Sequence, residues 1–235
     1  MSLIPLVYLP LPTPPATHTL KWRRLFSLML ALAPVWAFAA GGNIRVEIKT
    51  AKGEPVADAV ASLIPTDAAP RISPPEEPVR IVQREEEFTP YVTAVAVGTR
   101  VSFPNQDKVQ HHVYSLSKTK PFELPLYKEQ AHEPMLFDKA GVVSLGCNIH
   151  DWMSAYVVVL ATPYFAKTPA DGVAPLATVP PGHYRLEVWH PRIAATVTRD
   201  VTVDPNDPAT QVISVTLKPD RRIRRAPESS AGGYK

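Results

Sequence analysis

The chain of 235 residues has a single cysteine, Cys147, so it can form no internal disulfide. Glycine is scarce, 10 residues against 27 prolines, which favours turns, loops and strand edges over long helices. No phosphate-binding loop, Ser/His/Asp order or paired-carboxylate motif stands out, so an independent enzyme is not expected. There is no repeat of 20 to 50 residues and no sustained helical periodicity. What remains is an ordinary soluble composition, 45% hydrophobic and 20% charged, long enough for one large or two small β-rich domains.

The first forty residues stand apart. After a proline-rich lead, Lys21 to Arg24 ("KWRR") precedes "LFSLMLALAPVWAFAA", an apolar run of about 16 residues, short of the roughly 20 that span a bilayer. It ends in Ala37-Phe38-Ala39, a small-x-small cleavage pattern, so residues 1–39 read as a signal peptide with no stable membrane insertion after cleavage. "RRLF" fits a twin-arginine signal weakly, which leaves the export route open. Removing residues 1–39 takes away Lys21, Arg23 and Arg24 and no acids, so the formal charge falls from +3 to 3 − 3 = 0. Nucleic acid is therefore not an expected partner. The segment 219–235 reads as a basic disordered tail with Ser and Gly near its end.

Between these ends strand signals dominate. "NIRVEIKT" (Asn43 to Thr50) alternates apolar and polar residues, turns at Lys52-Gly53 and leads into "VADAVASLIP". Residues 65–78 form a Pro-rich, charged loop. "VRIVQ", "YVTAVAVGTRVSFPN", "HHVYSLS", "VVSLGC" and "SAYVVVL" follow as β-like segments, with a looser stretch from Lys118 to Gly141. After Pro163 the chain returns to short alternating strands, "ATVTRDVTV" and "TQVISVTLKP" among them. Two β domains are expected, and the fold class is all-β.

The lone cysteine carries the chemistry. An exported thiol is a liability unless something occupies it, and Cys147 is followed by His150 and Met153. A thiolate, an imidazole and a thioether together suit copper, and a His₂Cys plane with a weak axial Met marks a type 1 electron-transfer site. The missing imidazole must come from another segment, and "VSFPNQDKVQHHV" offers His111 and His112. Strand alternation points these two to opposite faces, so only one can face an ion. Zinc has little use for a thioether, although a two-His, one-Cys zinc site is conceivable.

"VSFPNQDKVQHHV" and "FDKAGVVSLGCNIHDWMSAYVVV" resemble the cupredoxins, the small blue copper proteins, most nearly the amicyanin and plastocyanin group. The resemblance covers residues 79–161 and implies a Greek-key β-sandwich holding one type 1 copper. It places His111, Cys147, His150 and Met153 at the four ligand positions, and His112 where that family carries an Asn that ties the two ligand loops together. It implies that His112 either takes over that tie by a hydrogen bond of its own or competes as a ligand. It further implies a periplasmic single-electron carrier with protein redox partners, its electron port at the ring edge of His150, with Trp152 beside it.

The flanks, 43–66 and 163–218, resemble the carboxypeptidase regulatory-like, transthyretin-like sandwich through "GEPVADA", "DG" and "PPGHYRL". That resemblance implies a small Ig-like β-sandwich interrupted by the copper domain, leaving near Thr66 to Pro78 and returning near Ala161 to Tyr164. Some exported proteins of this look are methylamine-utilisation proteins, which implies a partner in amine oxidation. His190 reads as a strand cap, and His132, His183 and Glu85 to Glu87 as surface groups. The rival functions are a copper-binding or copper-delivery module without redox turnover, and an adhesion or carbohydrate-binding β-sandwich.

Overall fold

The computed structural model describes residues 41–128 and 132–220; the expected signal peptide and residues 221–235 of the expected tail lie outside them. The described residues are all-β, with no helix among them. Their strands bury two separate apolar cores.

The first core draws on the two ends of the described chain. Strand Gly42–Thr50 points Ile44, Val46 and Ile48 inward at alternate positions, as its apolar/polar period requires. It is flanked by Val173–Val179, antiparallel, and by Ala209–Val215, parallel, in a three-stranded sheet. A four-stranded sheet in the order Phe165–Lys167, Val60–Pro65, Gly182–Trp189, Val197–Val203 contributes Ala61, Leu63, Tyr184, Leu186 and Val188 to the same core. The Lys52-Gly53 turn forms as the sequence suggests, Gly53 adopting φ +85°.

The second core lies wholly between Ile81 and Val159. Its five-stranded sheet runs Val92–Ala96, Ser154–Leu160, Gly141–Gly146, His111–Ser115, Phe122–Tyr127. Smaller sheets, Met135–Phe137 with Thr99–Ser102 and Val79–Arg80, and Val82–Arg84 with Glu87–Thr89, close it. The looser stretch after Lys118 thus supplies two strands, Phe122–Tyr127 and Met135–Phe137. Their prolines and charges hide the pattern, since Phe122–Tyr127 alternates only in part and ends the sheet at an edge.

Strand Ser154–Leu160 shows why "VVV" is an unbroken apolar run. Ala155, Val157 and Val159 face the second core, whereas Tyr156 and Val158 face the outer side, where Val60 and Trp189 of the four-stranded sheet cover them. A strand covered on both faces needs no polar alternation. The Tyr156 and Trp189 rings meet at 5.6 Å across this junction. Each fully buried valine here contributes about 1.5–3 kcal/mol of apolar burial.

Candidate metal centre

Two strands deliver the site. Along Gly141–Gly146 the inward positions are Val143 and Leu145, and the next inward position, one residue past the strand, is Cys147. Gly146 keeps that strand close to its neighbour: a Cβ there would stand 2.8 Å from the Tyr114 ring, which lies against it. In His111–Ser115, His111 shares the core face with Val113, while His112 and Tyr114 take the other face, their rings 5.7 Å apart.

His111, Cys147 and His150 converge, their donor atoms all within 4.8 Å of one another. His111 Nδ1 is 3.2 Å from His150 Nδ1, and His150 Nδ1 is 3.6 Å from Cys147 Sγ. His111 is fully buried, Cys147 is buried and His150 is half-buried beside the exposed Ile149. Met153 lies in the same core as Cys147, 2% exposed, and its backbone N–H donates to the His150 carbonyl at 3.0 Å, closing the loop on itself.

These separations lie close to what one ion demands. Imidazole nitrogens about 2.0–2.1 Å and a thiolate about 2.3 Å from a common ion, at angles between tetrahedral and trigonal, stand roughly 3.3–3.6 Å (N to N) and 3.5–3.8 Å (N to S) apart. The 3.6 Å N-to-S distance falls inside its range, and the 3.2 Å between the two nitrogens is about 0.1 Å short of its own. Without an ion, protons shared among the two nitrogens and the sulfur keep their lone pairs from opposing one another, and a bound cation would take the place of those protons.

The surrounding groups prepare the donors. Asp107 accepts a 2.8 Å hydrogen bond from His111 Nε2–H, because an ionised carboxylate can only accept. That fixes the proton on Nε2 and, in the neutral ring, leaves the Nδ1 lone pair facing the cluster. Burial pushes the Asp107 carboxyl up, but the backbone N–H of Glu86, His111 and the backbone N–H of Glu85 outweigh it and hold its pKa below the usual value. Burial pushes the His111 pKa down, yet Cys147 and Asp107 together raise it. Burial likewise pushes the Cys147 thiol up; hydrogen bonds from His111, from the backbone N–H groups of His112 and Ile149 and from His150 prevail, and hold it at about 6. A thiolate, the form that binds metal, is thereby favoured near neutral pH.

His112 lies outside this donor group. Its Nε2 pairs with Glu123 of the adjacent strand at 2.8 Å, so its imidazole neither joins the cluster nor ties the two donor segments together; its backbone N–H to Cys147 is the contact it makes there. His190 sits at the end of Gly182–Trp189, its Nδ1 accepting from the Arg192 backbone N–H at 3.2 Å, as a strand cap does. His132, expected at the surface, is half-buried with its ring 4.8 Å from that of Tyr127. Asp107 escapes a reading of the sequence because it lies in a loop, where no period says which way it points; its place four residues before His111 is the one available signal.

No family model matches the chain, and no curated protein matches it. Solved structures do resemble part of it. A purple cupredoxin from Nitrosopumilus maritimus is 23% identical over 35% of this chain and 99% of its own, with a TM-score of 0.32. A copper-containing nitrite reductase from Thermus scotoductus SA-01 is 24% identical over 41% of this chain and 25% of its own, at 0.34. A reduced amicyanin variant is 21% identical over 43% of this chain and 98% of its own, also at 0.34. At these scores no residue role is carried over; the all-β class rests on the strands themselves.

Proposed function

We propose that the protein is a periplasmic electron carrier with one type 1 copper, held by His111, Cys147 and His150 with Met153 as the weak axial ligand. The observation that carries this reading is the convergence of two Nδ1 atoms and one Sγ, from segments 39 residues apart, at separations of 3.2 and 3.6 Å. The distances alone suit zinc as well as copper. The buried thioether three residues beyond His150 favours copper, a softer ion than the all-N/S/O sites of zinc require.

Bound copper would supply a one-electron Cu(I)/Cu(II) couple. The chain's part is to hold the donors still. His111 is locked by Asp107 and by complete burial, Cys147 by its strand and by two backbone N–H groups, and His150 by the closed loop. Donors so held move little between oxidation states, which keeps electron exchange fast. His150 is half-buried next to exposed Ile149, so its ring edge is the port through which redox protein partners would exchange electrons. The two separate cores belong to the same reading: a copper domain over 79–161 set within a carrier sandwich formed by 43–66 and 163–218.

The test is to add Cu(II) to the protein lacking residues 1–39 and record its visible spectrum, then repeat with Cys147→Ser. An intense blue or green band in the first and none in the second supports the reading. Tight copper binding without colour, unaffected by Cys147→Ser, would favour the delivery module.

A further inference from the structure

The two metal-binding segments share no side-chain tie through His112, yet a third element touches both. Strands Val82–Arg84 and Glu87–Thr89 pair Arg84 with Glu87, leaving Glu85-Glu86 as a two-residue hairpin turn. Both residues are left-handed, φ +54° and +58°, the conformation of a type I′ turn that Asn-Gly usually supplies. Two consecutive glutamates there are strained, and strain of this kind persists only where the surroundings hold it.

What holds it is the metal site's own scaffold. On one side the backbone N–H groups of Glu85 and Glu86 donate to the two oxygens of Asp107, at 2.6 and 2.9 Å, and Asp107 in turn accepts from His111. The hairpin is stitched to the same segment by Gln83 N–H to the Pro104 carbonyl and Gln106 N–H to the Gln83 carbonyl, each 2.9 Å. On the other side the indole N–H of Trp152 donates to the Glu86 carbonyl at 3.0 Å, and the Trp152 ring lies 5.3 Å from that of His150.

We infer that the Glu85-Glu86 turn is a clamp that sets the spacing of the two donor segments, gripping the His111 side through Asp107 and the Cys147–Met153 loop through Trp152. The inference rests on the copper reading for its purpose but not for its geometry. Trp152 and the turn are positioning groups: they touch no ion, and act by fixing how far His150 stands from His111. These contacts of the turn with Asp107 and Trp152 are made by its backbone N–H and C=O groups.

Trp152→Phe tests this, because it removes the indole N–H while keeping an aromatic, though smaller, ring beside His150; the loss of ring surface is common to both backgrounds compared below. With Cu(II) bound, the variant should surrender copper to a chelator about tenfold faster, the lower end of losses for groups outside the ligand set, and show shifted visible and electron paramagnetic resonance features. In an Asp107→Asn background, where an NH2 replaces one of the two oxygens that accept from the turn and the grip on the His111 side is weakened, the same change should add less than about threefold. A metal-free arm follows hydrogen exchange of the Met153 amide, which Trp152→Phe should accelerate about tenfold in the native background and much less with Asp107→Asn. Equal effects of Trp152→Phe in both backgrounds, or no effect on exchange, would overturn the clamp even if copper binds. A native protein that takes up no copper yet shows the coupled exchange would sink the copper reading and leave the clamp standing.

Discussion

The Nδ1 atoms of His111 and His150 face each other at 3.2 Å, although 39 residues of chain separate them. Two ring nitrogens this close, with Cys147 Sγ 3.6 Å from one of them, form an arrangement whose stability depends on a cation or on shared protons.

His111 and His112 should separate cleanly by mutation. His111→Ala removes a donor from the cluster and should weaken Cu(II) binding by more than about 100-fold, beyond what groups outside the ligand set cost. His112→Ala removes a side chain bound to Glu123 on the other face and should change affinity only a few-fold. Competitive copper titration of both variants checks this; similar losses would show that both imidazoles reach the ion.

Met153 distinguishes a ligand from a core filler. Met153→Leu conserves volume and should cost less than about 1.5 kcal/mol in stability while altering the reduction potential and the visible bands. Met153→Ala should cost about 2–5 kcal/mol, since the side chain is buried. Voltammetry identical to the native protein in the leucine variant would make Met153 packing alone.

The metal-free protein should gain the Cys147 contribution to stability as pH rises from about 6 toward the ordinary thiol range, offset in part by His111, whose raised pKa contributes stability that is lost as pH climbs. The Cys147 pKa is depressed to about 6 in the folded state, so across this interval the unfolded chain binds the extra proton and folding gains as pH climbs. The gain is lost as pH falls through 6. Thermal melting over this range, compared with Cys147→Ser, isolates the contribution, and the ultraviolet absorption of the thiolate should titrate near 6. A native slope equal to that of the serine variant would contradict the depressed value.

The two cores should fail independently. Leu63, fully buried in the first core, should cost about 2–5 kcal/mol when changed to Ala. Because the donors belong to the second core, the copper spectrum of Leu63→Ala at room temperature should match that of the native protein. A changed spectrum would mean that the junction at Val60, Val158 and Trp189 transmits strain.

Much of the β architecture is legible locally. "NIRVEIKT" alternates and does form a strand with Ile44, Val46 and Ile48 inside, because only one of its faces is buried. Alternation likewise sets His111 with Val113, and Cys147 in phase with Val143 and Leu145. Where the period breaks, the sequence says less. Phe122–Tyr127 has proline and charge inside an edge strand, and the unbroken "VVV" of Ser154–Leu160 reads as a strand without saying what covers each of its faces.

The sequence by itself determined which donors exist, how Cys147, His150 and Met153 are spaced, and that His111 and His112 take opposite faces of their strand, since all of these follow from covalent order and a two-residue period. Only the tertiary structure decided that Asp107 meets His111, that His112 turns to Glu123, and that Trp152 reaches the strained Glu85-Glu86 turn. Those contacts join residues from loops and from separate strands. No local periodicity directs them; they arise when two sheets bury a common core and bring distant backbone groups within hydrogen-bonding reach.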